Sequence, residues 1–233
     1  MNKKINTNPH CFLSVIGPGG CGKTQLVSRI LLNQKIIFRP CFEKILFFYK
    51  HFQTEYESLL LGCTSEKVSI KFHQGLQWTA VDRSEAEKLR TLVVIDDLYQ
   101  DACEDGTFLN LVVAGRHRNI HLMTLRHNIY QPAKNSKTID LNVTQMILFK
   151  SPRDVEQIGV LGRQLGDRKV LLAAYKRATS KPFGHLLIDL DPQTDPKLKY
   201  SPNCSGDEPS VFYISSTLTK EIVNNESAQL LYS

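Results

Sequence analysis

The 233-residue sequence has no run of 18 or more apolar residues, so no stretch of it reads as a bilayer-spanning helix. Its six cysteines (Cys11, Cys21, Cys41, Cys63, Cys103 and Cys204) are scattered, with no CxxC pair and no zinc-type spacing. That excludes a zinc ribbon and a disulfide framework, and the thiols read as reduced and intracellular. The opening "MNKKINTNPH" lacks the apolar stretch of a secretory signal, so none is expected. No internal repeat is present. The single tryptophan, Trp78, reads as a packing residue and not as a base-stacking platform. Acidic residues are outnumbered, 23 Asp and Glu against 29 Lys and Arg, for a net charge of +6. This balance suits a polyanionic partner without proving one.

What the sequence does contain begins at "GPGGCGKT", residues 17–24, between the apolar "CFLSVI" and "QLVSRILL". The spacing Gly17-x4-Gly22-Lys23-Thr24 is that of a phosphate loop. Gly17, Gly19, Gly20 and Gly22 permit torsions and close approaches that a side chain would block. Their N–H groups can then converge on one anion, helped by the positive end of a helix starting near Lys23. Gly17, Pro18, Gly19, Gly20, Cys21, Gly22, Lys23, Thr24 and Gln25 are therefore expected to hold ATP. Lys23 would reach the outer phosphates and the Thr24 hydroxyl would ligate Mg²⁺. A plain glycine-rich turn is the competing reading, and the order strand, loop, helix argues against it.

A second element, "TLVVIDDLYQD" at 91–101, is an apolar strand ending in two acids. Ligands bind at such carboxyl ends in open α/β sheets. Asp96 is placed to hold the Mg²⁺ shell, and Asp97 to orient or deprotonate an attacking water. One acid after a strand is often only a helix cap. Two acids downstream of a phosphate loop favour a Walker B element with a hydrolytic role.

Strands are expected at 43–50, 68–73, 119–125, 142–150 and, last, 185–190. Helices are expected around "TEYESLLLG" and over 82–90, 106–118, 152–166 and 169–179, with Pro152 starting and Gly166 stopping the helix over 152–166. This alternation implies a three-layer α/β/α fold with a mostly parallel central sheet. The composition divides the chain into an extension (1–10), an ATPase domain (11–195) and a polar C-terminal tail or peripheral hairpin (196–233).

The stretch "AGRHRNIHLMTLRHNIY" (114–130), together with both Walker elements, resembles the FtsK/HerA superfamily of P-loop DNA-translocating ATPases. It is most similar to the genome-packaging ATPases of poxviruses, giant viruses, virophages and Polinton elements. Gly115, His117, Arg118 and Asn119, then a strand, then His127-Asn128-Ile129-Tyr130 carry the resemblance. It continues in "ILFKSPRDVEQIGVLGRQ" (147–164) and "AAYKRATSKPFGHLLIDLDPQT" (173–194). The likeness covers roughly residues 11–195 and implies a RecA-like fold.

The resemblance further implies ATP hydrolysis driving double-stranded DNA into a capsid through a homo-oligomeric ring. The implied partners are capsid or portal-vertex proteins, and the implied location is the virus assembly site in cytoplasm or nucleus, with virion association as an option. Arg116, Arg118 or Arg153 would be candidates for an arginine acting on a neighbour's nucleotide.

One departure stands out. The family's sensor glutamine is His127 here, which implies hydrolysis that is slower, pH-sensitive or differently organised, with Lys23, Asp97 and His127 as the catalytic set. A nucleotide kinase, or a nucleotide-binding scaffold without efficient turnover, remains an alternative. His117, His121 and His127 lack a completing ligand and are not expected to bind metal. Arg116, Arg118, Arg126, Lys134 and Lys137 form a basic stretch that either faces DNA or a neighbouring subunit, or is a solvated face. Arg153 is expected to pair locally with Asp154.

Overall fold

Continuous apolar runs become the central strands, because a strand covered on both faces has no polar side to alternate with. The computed structural model describes residues 11–38, 40–65 and 68–202. Its elements are β1 (Phe12–Ile16), α1 (Lys23–Leu32), α2 (Gln34–Ile37), β2 (Lys44–Tyr49), α3 (Glu55–Ser65), β3 (Ser69–Gln74), α4 (Trp78–Ala86), β4 (Thr91–Asp96), α5 (Tyr99–Glu104), α6 (Gly106–Ala114), β5 (Ile120–Arg126), α7 (Ser136–Leu141), β6 (Gln145–Phe149), α8 (Val155–Gln164), α9 (Arg168–Ala178), β7 (His185–Asp189) and β8 (Tyr200–Ser201). Every residue of β1, β4, β5 and β6 is buried. The edge strand β3 instead has only exposed and half-buried positions.

The eight strands lie in the order β3-β2-β4-β5-β1-β6-β7-β8. All neighbours from β3 to β6 are parallel, and β7 and β8 are antiparallel to what precedes them. Side-chain alternation sends Phe12, Ile16, Leu46 and Phe48 to one face, where α4 to α9 cover them. Leu13, Val15, Ile45 and Phe47 point to the other, under α1, α2 and α3. The expected three-layer α/β/α fold with a mostly parallel sheet is what forms.

Several boundaries differ from the expected ones. The helix placed at 82–90 runs over Trp78–Ala86. The helix over 106–118 stops at Ala114 and tightens into a 3-10 turn, Gly115–Arg118, after which Asn119 takes a left-handed φ of 55°. Pro152 does not start α8. It sits in a turn, and the helix begins at Val155 behind Asp154. Gly166 does end that helix, with φ of 78°. Its N–H donates to Arg163 and the Asp167 N–H to Gly162, a Schellman closure.

Nor is β7 the last strand, since β8 pairs with it. The sheet thus continues past residue 195 in a peripheral hairpin. Residues 1–10 and those from 203 on, Cys204 among them, lie outside the described residues. No described helix is long and apolar enough to cross a membrane.

Candidate active site

Strand register brings the sequence motifs to one edge. Ile16 of β1 lies beside Arg126 of β5, and Asp96 of β4 beside Leu125. The loops leaving β1, β4 and β5 therefore start together at the carboxyl end of the sheet, with β5 between the two Walker strands. Gly17 opens the first loop, its N–H donating to the Arg126 carbonyl at 3.1 Å. A Cβ on Gly17 would come within 2.7 Å of Phe149 Cβ and 2.8 Å of Cys21 Sγ. Gly20 and Gly22 take φ of 72° and 96°, torsions a side chain resists. A Cβ on Gly19 would meet nothing within 4 Å.

The loop wraps the ammonium of Lys23, which donates to the Gly17 carbonyl at 2.8 Å and the Pro18 carbonyl at 3.0 Å. Lys23 is buried, and the two carbonyls fix its charge beneath the loop. The Thr24 hydroxyl donates to Gln53 Oε1 at 3.3 Å. Asp96 is buried, and its Oδ2 accepts a 2.8 Å hydrogen bond from the Tyr56 hydroxyl of α3. Burial pushes the Asp96 carboxyl up to about 6, and Asp97 adds to the rise, while Tyr56 and Lys23 pull it down. Burial and the Asp96 charge raise the Tyr56 phenol. Burial likewise raises the Cys21 thiol, against the pull of Lys23.

Asp97 sits at φ 55°, a left-handed torsion that Asp tolerates better than most side chains. It turns the carboxylate out of the strand, where Oδ1 lies 3.1 Å from His127 Nε2. Gly19, Gly20, Gly22, Lys23, Thr24, Gln25, Asp96, Asp97 and His127 line one cavity of about 220 Å³, together with Gln53, Glu55 and Phe183. Gly17, Pro18 and Cys21 are not on its wall: the first two hold Lys23, and Cys21 faces an adjoining cavity beside Phe149. A larger groove of about 990 Å³ shares no residue with the phosphate-loop cavity; it runs along α7 and α8, past Ile129 and Tyr130 and near Asp189 to Thr194.

The residues at the site fit a hard divalent cation. The Thr24 hydroxyl and the Asp96 carboxylate share one cavity, with Asp97 and Glu55 close by, all of them oxygen donors of the kind Mg²⁺ takes.

Gln53, Glu55 and Tyr56 do not stand out in the sequence, where that stretch reads only as a helix. A signal was available, because they follow a parallel strand at its carboxyl end. Phe183 carries no comparable signal.

The basic stretch does not form one surface. Arg126 is fully buried, its guanidinium 4.6 Å from the Tyr99 ring and its Nη1 donating to Asp140 Oδ1 at 2.5 Å. It faces neither DNA nor a neighbour, because its partners come from α5 and α7. Arg118 is bonded to Glu85 and lies 3.7 Å from Asp82. Lys134 and Lys137 are exposed, and the Arg116 side chain lies outside the described part. Arg153 is exposed in the turn before α8. The expected Arg153–Asp154 pair gives way to a 2.6 Å hydrogen bond from the Ser151 hydroxyl to Asp154.

The three histidines are dispersed: His121 is buried and its Nδ1 accepts from the Cys11 N–H at 3.1 Å, while His117 is exposed and His127 faces Asp97. Trp78 packs as expected, stacked on Phe108, with its indole N–H donating to Asp105 at 2.6 Å.

The sequence profile of the NB-ARC domain matches residues 1–144. Among solved structures, the chain is similar to the genome packaging NTPase B204 from Sulfolobus turreted icosahedral virus 2. With B204 in complex with ATP-gammaS, the TM-score is 0.54 at 17% identity, over 81% of this chain and 96% of that one. With the AMPPCP complex the TM-score is again 0.54 at 17% identity, over 80% and 96%. The AMP complex gives 0.54 at 16%, over 81% and 96%. This likeness is one of fold. No curated protein sequence matches the chain.

Proposed function

The chain belongs to the NB-ARC domain family, within the P-loop NTPases, and we propose that it is an ATP-hydrolysing motor subunit that moves double-stranded DNA into a viral capsid. The observation that carries the hydrolytic part is the paired acids, Asp96 and Asp97, opening with His127 onto the cavity that holds Lys23 and Thr24. A kinase directs its phosphoryl group to a bound acceptor and has less use for a second acid at this point. The DNA-packaging part is supported by the shared fold with B204, a packaging NTPase by name, and by the net charge of +6. In this reading the chain works as a homo-oligomeric ring at a capsid or portal vertex within the infected cell.

The geometry supports the following division of roles. Backbone N–H groups of the loop receive the phosphates, and Lys23, already fixed by two carbonyls, meets the β- and γ-phosphate charge. Thr24 and Asp96 would hold Mg²⁺, which supplies charge neutralisation on the phosphate oxygens when bound. Tyr56 fixes the Asp96 carboxylate from behind. Asp97 accepts the proton of the attacking water. His127 holds Asp97 in position, its Nε2 lying 3.1 Å from Asp97 Oδ1. Of the arginine candidates with described side chains, Arg153 is exposed, whereas Arg118 is engaged by Glu85.

The test is an ATPase assay with and without duplex DNA. Hydrolysis that rises with duplex of any sequence is the expected result. Hydrolysis indifferent to DNA would remove the motor, and none in either condition would remove the enzyme.

A further inference from the structure

The turn between α9 and β7 holds an aromatic ring out in solvent beside the phosphate loop. Phe183 is 65% exposed, and its φ of 59° is in the left-handed region that bulky residues avoid. The turn is fixed from several sides. The Gly184 N–H donates to the Lys181 carbonyl at 3.1 Å, and the Thr179 hydroxyl to the Tyr175 carbonyl at 2.8 Å. A Cβ on Gly184 would lie 2.4 Å from the Ala178 oxygen, so the turn is pressed against the end of α9. The surroundings thus impose a strained backbone on a ring that buries little of itself, a pattern that concentrates at ligand clamps.

Phe183 also separates two cavities. On one side it walls the cavity of Lys23, Thr24 and Asp96. On the other it walls a second one of about 320 Å³ with Gly20, Cys21, Phe149 and Lys181, within the size range of small-ligand sites. Gly22 lets the ring come this close, since a Cβ there would lie 3.1 Å from Phe183 Cδ1. Phe183 is thus common to the wall of the phosphate-loop cavity and that of its neighbour.

We propose that Phe183 is the stacking platform for the base of the nucleotide, and that the second cavity receives the base and sugar. The proposal rests on the reading of residues 17–24 as the site of its phosphates. Stacking uses the π-face that every base has, and the Ser180 hydroxyl already donates to the Arg177 carbonyl at 2.8 Å. The platform therefore registers that a base is present more than which base it is.

The experiment is calorimetric titration of the full chain with ADP and, separately, with inorganic tripolyphosphate, which has no base. Phe183→Leu keeps apolar bulk and loses the aromatic face; it should weaken ADP by about 5- to 30-fold and leave tripolyphosphate unchanged. Phe183→Tyr should bind ADP like the wild type. ADP affinity unaltered by Phe183→Leu would overturn the proposal, and so would an equal loss for tripolyphosphate, which would mean the residue acts through the loop. Wild type that fails to bind tripolyphosphate would instead remove the phosphate-site reading, and the platform with it.

Discussion

Asp96→Asn should make the nucleotide-free protein more stable at neutral pH. The fold buries this carboxyl and raises it from 3.8 to about 6. In the unfolded chain it ionises near 3.9, as an ordinary aspartate. Between those values the unfolded state has released a proton that the folded state keeps, so rising pH favours unfolding. The penalty is absent below about pH 4 and complete above about pH 6 to 7. A gap of roughly two pH units corresponds to about 3 kcal/mol. Asparagine keeps an oxygen to accept the Tyr56 hydroxyl and has no charge to desolvate.

Urea denaturation followed by circular dichroism, without nucleotide, should show Asp96→Asn more stable by up to about 3 kcal/mol at pH 7.5. About half of that should remain at pH 5, and almost none near pH 4. In thermal melts the gain at pH 7.5 is on the order of 6–12 °C for a chain of this size. A variant no more stable than the wild type at pH 7.5, or a gain that does not shrink on acidification, would refute the reasoning.

Lys23→Ala removes the cation fixed under the loop, so ATP binding by calorimetry should collapse, and retained affinity would detach the loop from nucleotide. Asp97→Asn tolerates the same left-handed torsion but lacks basicity. It should bind ATP nearly as the wild type does while turnover falls by roughly 10²- to 10⁴-fold; a normal rate would place the base elsewhere. His127→Ala should slow hydrolysis far more than it weakens binding, with His127→Gln restoring turnover, whereas indifference to both changes would reduce His127 to packing. Exchanging Lys134 and Lys137 together for Gln should lower the salt dependence of duplex binding by about one unit of log–log slope for each phosphate no longer neutralised, and an unchanged slope would show that they face elsewhere.

The loop and the paired acids were legible because their chemistry is local: glycine torsions, a lysine at fixed spacing, acids closing an apolar run. The strands were legible because burial on both faces leaves continuous apolar stretches. What escaped depends on partners distant in sequence. Tyr56 reaches Asp96 only because β2 lies next to β4. Arg126 reads as one of several surface cations until α5 and α7 supply Tyr99 and Asp140 around it. The start of α8 moved because the Ser151–Asp154 hydrogen bond closes a turn that proline alone was expected to begin.

The buried arginine has a mechanical consequence. Its backbone carbonyl anchors Gly17, and its side chain is clasped by Asp140, a residue that also walls the large groove. Nε and Nη2 of Arg126 have no hydrogen-bond partner among the described residues, so Asp140 is the acceptor that keeps this charge tolerable. Drawing Asp140 aside would strand a guanidinium in the core, at about 3–5 kcal/mol. One residue thus ties a wall of the groove to the first glycine of the phosphate loop, by its side chain on one side and its backbone carbonyl on the other.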